Sequence, residues 1–362
     1  MVKLNWDNKS DINNNIEDFK KKYINYFEKI NFTSESKSLT RKNTTNWTNK
    51  LFWGENKEVL YHLLNNFENK IDLIYIDPPF YSGTNYEIRV EDGEESYDDV
   101  AYYDHWDKDL DSYLQMLYER LILIKKLLSK KGLVFIHLDW HASHYIRLIL
   151  DEIFGQNRFV NNIIWYYYNK YSAGKKNLPR AHDNILVYSK SKNYTLNELR
   201  IPRKKPIKQL KRVMVDGVLK NAKDENGHVI YRVVSDKKLD DVWKIPCMQP
   251  ASKEWTGFPT QKHHKLLERI IKLGSNEGDI IADFFCGSGT TLLVAEKIKR
   301  KWIGCDISKF AIFLTRNRIK NYHKDFNEVN HPFEIYTDLN EKKINTIKSG
   351  FFEKKLIIKR KN

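Results

Sequence analysis

Four short strand-like segments, the apolar run Ile71–Ile76 with 133–138, 279–283 and 302–306, constrain this chain more than any other feature. The first is broken only by Asp72, and each is bounded by turn residues or segments of helical period. A continuous apolar run of this length suits a strand buried on both faces, as in a parallel sheet with helices on each side. Helical spacing follows or precedes each run, at 59–67, 110–128, 145–154, 265–272, 290–300 and 309–320. The alternation predicts an α/β fold with a doubly wound, mostly parallel sheet.

The pattern also divides the chain. Residues 1–50, rich in Asn, Lys, Ser and Thr, are expected to form an accessory arm with one helical stretch at 16–30. Residues 51–160 carry the first half of the α/β alternation and 259–330 the second. Between them, 161–258 shows aromatic β-like runs at 163–168, 185–188 and 229–234 separated by basic polar stretches, which predicts an inserted small domain. Residues 331–362 are expected to be a basic tail.

At 362 residues the chain is long enough for a substantial core without disulfide or metal staples. No stretch approaches the roughly 20 apolar residues of a membrane span. Residues 1–22 lack the apolar centre of a signal peptide, so a cytoplasmic protein is expected. Cys247, Cys286 and Cys305 are odd in number and lack CxxC spacing, which fits neither a disulfide framework nor a cysteine zinc site. Lys and Arg (62) exceed Asp and Glu (47), for a net charge of +15. That excess favours a polyanionic partner, nucleic acid first. Lys, Asn, Ile and Tyr are abundant together, as AT-rich coding also produces, and codon bias is the alternative source of part of that charge.

Two loops carry chemistry. Asp77-Pro78-Pro79-Phe80 directly follows the run ending at Ile76, at the carboxyl end of a strand, where α/β sheets bind ligands. Two prolines stiffen the segment and remove backbone donors, leaving carbonyl acceptors beside one carboxylate. Such an acceptor-only cluster suits a substrate amino group, and Phe80 offers a flat face for a planar base. The alternative is an ordinary strand-ending turn. In the second loop, Asp283-Phe284-Phe285-Cys286-Gly287-Ser288-Gly289-Thr290-Thr291, glycines permit close backbone approach and the following helix offers free N–H groups. Asp306 closes the next strand nineteen residues after Gly287, near the spacing of about 20 at which an acid reaches ribose hydroxyls. The full GxGxxG dinucleotide pattern is absent, and no GxxxxGK[ST] phosphate loop occurs.

Taken together, these loops resemble the S-adenosylmethionine-dependent amino-methyltransferases of DNA, in the subgroup where the catalytic motif precedes the cofactor motif. The similarity spans roughly 51–320 and is nearest to modification subunits of type III restriction systems and related adenine methylases. Asp77 to Phe80 match the catalytic motif, Asp283 to Thr291 the cofactor loop, and Gly304-Cys305-Asp306-Ile307-Ser308 the strand with the ribose-binding acid. Thr260-Gln261-Lys262 resembles the preceding segment that contributes cofactor contacts, with His263 where proline is common. Leu51-Phe52-Trp53-Gly54-Glu55 resembles a family strand in which Gly-Asp is more usual, and Arg180 to Leu186 resembles a segment near the recognition domain. The resemblance implies a Rossmann-like methyltransferase sheet with an inserted target-recognition domain, S-adenosylmethionine as cofactor, and double-stranded DNA as substrate. It implies as catalytic residues Asp77, Pro78, Pro79 and Phe80. The implied cofactor contacts are Gln261, Lys262, Asp283, Phe284, Cys286, Gly287, Ser288, Gly289, Thr290, Thr291 and Asp306. A homodimer and a restriction subunit in trans are further implied partners.

The chemistry of the residues agrees. An exocyclic adenine amine is a poor nucleophile because its lone pair is delocalised, and acceptors at Asp77 and the Pro78 carbonyl would draw it toward tetrahedral geometry. Methyl transfer then depends on alignment and needs no metal. A base inside a duplex is out of reach, so it must be flipped out, here onto Phe80. In the family that the chain resembles, Ser more often begins the motif of cytosine enzymes, so the resemblance with Asp77 favours N6 of adenine over N4 of cytosine. That alternative and a DNA-binding subunit with a vestigial methylase site stay open, with RNA as a weaker third.

Two other features remain. His137, Asp139, His141 and His144 cluster in sequence and would suit a metal-dependent hydrolase or, alternatively, capping and cleft lining. Residues 200–215 hold seven basic residues and no acid, and Arg203, Lys204 and Lys205 are the expected phosphate contacts unless the segment is a solvated loop. Trp165 to Tyr168 and Tyr171 would stack on bases or fill a small core.

Overall fold

In the computed structural model the described residues are 3–30, 47–104, 109–170, 176–326 and 332–360. Tyr171 and positions 31–46 of the expected arm lie outside them. The chain separates into two compact units, residues 197–241 and the remainder.

The larger unit begins with α1 (Ile16–Lys22) and β1 (Glu28–Lys29), then β2 (Asn49–Trp53), α2 (Asn56–Phe67) and β3 (Ile71–Ile76). A hairpin of β4 (Tyr86–Asp92) and β5 (Glu95–Tyr102) precedes α3 (Leu110–Leu127), β6 (Leu128–Leu138), α4 (Ser143–Phe154), β7 (Phe159–Tyr166) and β8 (His182–Ser189). The smaller unit contains β9 (Arg200–Leu210), β10 (Arg212–Val215), β11 (Val218–Asn221) and β12 (Tyr231–Lys238). The larger unit resumes with β13 (Val242–Lys244), α5 (His264–Gly274), β14 (Ile280–Asp283), α6 (Thr290–Lys297), β15 (Lys301–Asp306), α7 (Lys309–Phe326), β16 (Phe333–Thr337), α8 (Glu341–Lys348) and β17 (Ile357–Arg360).

Among the described residues, ten strands form one sheet in the order β1-β16-β2-β15-β14-β3-β6-β8-β7-β13. Its centre, β16 through β6, is parallel, as the apolar runs predict. Side chains alternate across β3 and β6. Ile74, Ile76, Val134 and Ile136 join the core built with α2, α3 and α4. Leu73 and Phe135 face the opposite way, where Gly274 of α5 presses so close that a Cβ would stand 2.7 Å from Leu73. Helices on both faces explain why these strands show no polar side. Among the described residues, no helix is long and apolar enough to cross a membrane.

The boundaries differ from the sequence expectation in three places. Ile12, Ile16, Tyr23 and Phe27 of the expected arm are buried in the main core, and Phe19 stacks on Tyr61 of α2 at 4.9 Å. Residues of the expected tail supply β16, which pairs in parallel with β2, and β17, which pairs with β4. Of the segment 161–258, β7, β8 and β13 belong to the large sheet, and the separately compact part is 197–241 alone. Each difference has one cause. Alternation identifies a strand but not the neighbour it pairs with, and β8 joins antiparallel to β6, extending the sheet beyond its parallel part.

Residues 200–215 form β9 and β10, extended as expected but paired as ribbon strands, β9 with β12 and β10 with β11. Pro202 and Pro206 are tolerated because, among the described residues, the two-stranded ribbon leaves one edge of β9 unpaired.

One buried polar knot ties the far strands together. Glu296 of α6 is fully buried and accepts from Asn49 Nδ2 at 3.0 Å and Trp302 Nε1 at 2.9 Å, while His323 Nε2 lies 2.9 Å from its other oxygen. The knot joins β2, β15, α6 and α7. Removing one partner strands the rest without water, so Glu296→Ala is expected to lower unfolding free energy by about 3 to 5 kcal/mol. Urea denaturation followed by fluorescence checks this, with Glu296→Gln retaining part of the loss.

Candidate active site

Strand β3 delivers Asp77 to the carboxyl edge of the sheet, and the loop after it is held from two directions. The buried Asp104 carboxylate accepts the backbone N–H groups of Phe80, Tyr81 and Ser82 at 3.2, 2.9 and 3.0 Å, and the Ser82 hydroxyl at 2.6 Å. Tyr113 of α3 donates its hydroxyl to the Pro79 carbonyl at 2.8 Å. The prolines stiffen the loop, and Asp104 with Tyr113 fixes where it points. Neither was visible as a site residue in the sequence, because each lies more than twenty positions away with no motif of its own.

Asp77 meets Lys262 Nζ at 2.5 Å through Oδ2. The same ammonium lies 5.4 Å above the Phe80 ring. Oδ1 of Asp77 is buried and has no hydrogen-bond partner among the described residues. Behind it, the Tyr75 hydroxyl is 2.9 Å from His137 Nδ1, and His137 Nε2 is 3.2 Å from Asp183 Oδ2.

The glycine loop follows β14, which is hydrogen-bonded to β3 with Asp283 opposite Tyr75. Asp283 accepts from the Phe285 N–H at 3.0 Å and the Thr291 hydroxyl at 2.6 Å, pinning the turn to the first residues of α6. Asp306, at the end of β15, accepts from the N–H groups of Gly287 at 2.8 Å and Ser308 at 2.9 Å. Arg318 of α7 donates to the Ser288 carbonyl at 2.6 Å and to Thr290 Oγ1 at 3.0 Å. Asn56 of α2 donates to the Phe284 carbonyl at 3.0 Å and is itself held by Arg120. Arg318 and Asn56 were also missed, since the helices that carry them read only as packing elements.

Burial governs the charges here. It pushes Asp283 up to about 7 against the Thr291 and Phe285 hydrogen bonds, and pushes Asp306 up to about 6 against its backbone donors. It also lowers Arg318 to about 10. Displaced acidic groups of this kind cluster at clefts that bind ligands.

Both loops open into one cavity of about 650 Å³. Its walls include Asp77 through Phe80, Gln261, Lys262, Asp283, Phe284, Cys286, Gly287, Ser288, Thr290, Thr291 and Asp306. Gly289 backs the loop instead, against Thr315 of α7. Gln261 lines the cavity, but its amide holds the local turn, donating to the Glu254 carbonyl at 2.7 Å and accepting from Thr256. Arg203, Lys204 and Lys205 lie on β9 in the smaller unit, where Arg203 Nε donates to the Asp236 carbonyl at 2.8 Å. The histidine cluster divides between two carboxylates, His137 facing Asp183 and His141 folding back onto Asp139. Among the described residues, no group of three or more His, Cys, Asp or Glu is placed to hold a metal ion.

Residues 71–317, from the start of β3 through the first half of α7, match the N6/N4 family of DNA methylases. The chain belongs to that family. This DNA methylase is 29% identical over 317 residues to the type II methyltransferase M.EcaI of Enterobacter cloacae, covering 73% of this chain and 67% of the relative. It is 30% identical over 251 residues to the DNA adenine methyltransferase YhdJ of Escherichia coli, covering 69% and 76%. To the StyLTI Mod subunit of a type III restriction-modification enzyme from Salmonella typhimurium it is 28% identical over 320 residues, covering 67% of this chain and 49% of the subunit. Among solved structures, the cytosine-N4-specific PvuII DNA methyltransferase aligns with a TM-score of 0.50 at 17% identity, over 84% of this chain and 93% of that one. That likeness is one of fold.

Two outcomes follow for the methylase. Gly289 has φ +74, and a Cβ there would stand 2.3 Å from Thr315 Oγ1. Gly289→Ala is therefore expected to lower stability by about 2 kcal/mol or more through strain and overpacking, read as a drop in urea midpoint. The raised carboxyls set a pH dependence of their own. Between the ordinary carboxylate range and about 7 the folded state holds protons that the unfolded chain has lost, so this contribution falls as pH rises through that window. Thermal melts of the protein alone should drop by several degrees between pH 5.5 and pH 8, and the drop should flatten in Asp283→Asn.

Proposed function

We propose that this DNA methylase transfers the methyl group of S-adenosylmethionine to the exocyclic N6 amine of an adenine that has left the duplex stack. One observation carries the reading: the buried Oδ1 of Asp77 is an acceptor without a partner among the described residues, on a proline-stiffened loop beside an aromatic face. Buried acceptors are normally satisfied, and an amine N–H supplies what this one lacks. Phe80 receives the base, while the Pro78 carbonyl takes the second N–H.

The glycine loop fits the cofactor. Asp306 stands at the strand end to accept ribose hydroxyls, and Ser308 Oγ is another buried polar atom without a partner among the described residues. Asp283, buried beneath the loop, offers a carboxylate to a cationic group. When bound, S-adenosylmethionine supplies an electrophilic methyl on a sulfonium centre. The chain supplies alignment, because the pairing of β3 with β14 brings both loops into one cavity, and proximity of this kind accounts for a large part of such rate enhancements. Adenine is favoured over cytosine by Asp77 at the head of the motif and by the similarity to YhdJ.

Target contact is assigned to residues 197–241. From Arg200 to Lys223 this unit carries nine basic residues and one acid, Asp216, on two ribbons whose described hydrophobic residues, apart from Ala222, are not buried. Basic β-ribbons suit a DNA groove and its phosphates. The similarity to a type III Mod subunit supports a restriction subunit acting in trans, and the family resemblance supports a homodimer. Copurification from the native host and light scattering test those two assignments.

Labelled S-adenosylmethionine, unmethylated genomic DNA and nucleoside mass spectrometry test the reaction. N6-methyladenine is expected, with a loss of about 100-fold or more in Asp77→Ala. N4-methylcytosine would move the target base, and no methylation would overturn the enzyme reading. Replacing Arg203, Lys204 and Lys205 with Gln should weaken binding to all duplexes alike. It should also reduce the slope of log affinity against log salt by about 2 to 3. An unchanged slope would remove these residues from the interface.

A further inference from the structure

Behind Asp77 lies a chain of buried polar groups that the mechanism above leaves unused. His137 is fully buried on β6, the neighbour of β3, where Ile136 pairs with Ile76. Its Nδ1 lies 2.9 Å from the Tyr75 hydroxyl and 3.8 Å from the unpartnered Oδ1 of Asp77. On the far side, Nε2 is 3.2 Å from Asp183 Oδ2 of β8, and the Tyr167 hydroxyl donates to the other oxygen of Asp183 at 3.1 Å. The ring lies between Phe80, tilted at 5.7 Å, and Trp165, edge-on at 5.3 Å.

A phenyl ring would fill this position without burying an imidazole and a carboxylate, whose desolvation costs several kcal/mol unless paired. The arrangement also has a direction. Burial, with the charges of Asp77, Asp283 and Asp183 added, holds the Tyr75 hydroxyl well above its ordinary value, so it stays a donor toward Nδ1. Desolvation works to raise Asp183, yet the hydrogen bond and charge of His137, with Lys262 and Lys170, hold it below the ordinary carboxylate range. The groups facing the imidazole are thus Tyr75 from β3, Asp77 in the loop after it, Asp183 from β8, Tyr167 beyond β7 and, through Asp77, Lys262 before α5.

We propose that His137 and Asp183 are positioning residues that carry away the proton released by the target amine. This rests on the amine-methylation reading. The amine nitrogen bonds to the methyl carbon as the carbon–sulfur bond breaks and its electron pair stays on sulfur. The product nitrogen then holds one excess proton. Asp77 takes it on Oδ1, since Oδ2 is occupied by Lys262, and passes it to His137 Nδ1 after a closure of about 1 Å in which the Tyr75 hydroxyl turns its hydrogen away from that nitrogen. Asp183 balances the imidazolium, and the secondary amine leaves neutral.

The test uses the full chain and single-turnover transfer of labelled methyl to unmethylated genomic DNA from pH 5.5 to 9, with cofactor and DNA affinities measured beside it. Asp183→Asn and His137→Gln should each slow transfer about tenfold or more at pH 7. Both affinities should stay within about twofold. The deficit should shrink as pH rises and solvent takes the proton. An unchanged rate, or a deficit equal at every pH, overturns the relay and leaves the pair as support for Phe80. Loss of cofactor affinity in His137→Gln would mark a folding defect in that variant, and the near-isosteric Asp183→Asn then decides alone. Full activity in Asp77→Ala would instead refute the amine-methylation reading itself.

Discussion

The parallel pairing of β3 with β14 is the constraint on which the site depends. Their register sets Asp283 opposite Tyr75, so two loops some 200 residues apart in the chain leave the same edge of the sheet side by side. Parallel neighbours demand crossovers, and the helices that make them cover both faces of the sheet. The site is therefore a by-product of a core: the same apolar runs that bury β3, β14 and β15 also aim Asp77, Asp283 and Asp306 at one cavity.

Low dielectric follows from that burial and gives the site its character. Asp283 and Asp306 are forced toward protonation, Arg318 is weakened, and Asp77 keeps one oxygen paired with Lys262 and the other without a partner among the described residues. In water these groups would be interchangeable with any surface charge. Inside the cleft their hydrogen bonds decide which remain charged, which donate and which wait for a partner.

The smaller unit follows different physics. Its ribbons bury almost nothing apolar and hold most of their charge in one sign from Arg200 to Lys223. Two-stranded ribbons without a core gain little from the hydrophobic effect, and phosphate contacts are the interaction such a composition favours.

What the sequence determined by itself was whatever short-range pattern encodes. Continuous apolar runs marked the parallel strands, helical spacing marked α2 through α7, and the two loops were legible because strand, turn and helix signals sit within a dozen residues. Its errors were of pairing. The arm read as one helical stretch and the tail only as basic, and nothing local says that β16 seeks β2 or that β8 seeks β6. The same limit hid Asp104, Tyr113, Asn56 and Arg318, which hold the loops from a distance, and separated His137 from Asp183 across 46 positions. Only the tertiary structure decided these, because a buried polar group finds its partner through sheet register and helix packing, which depend on the whole core rather than on neighbours in the chain.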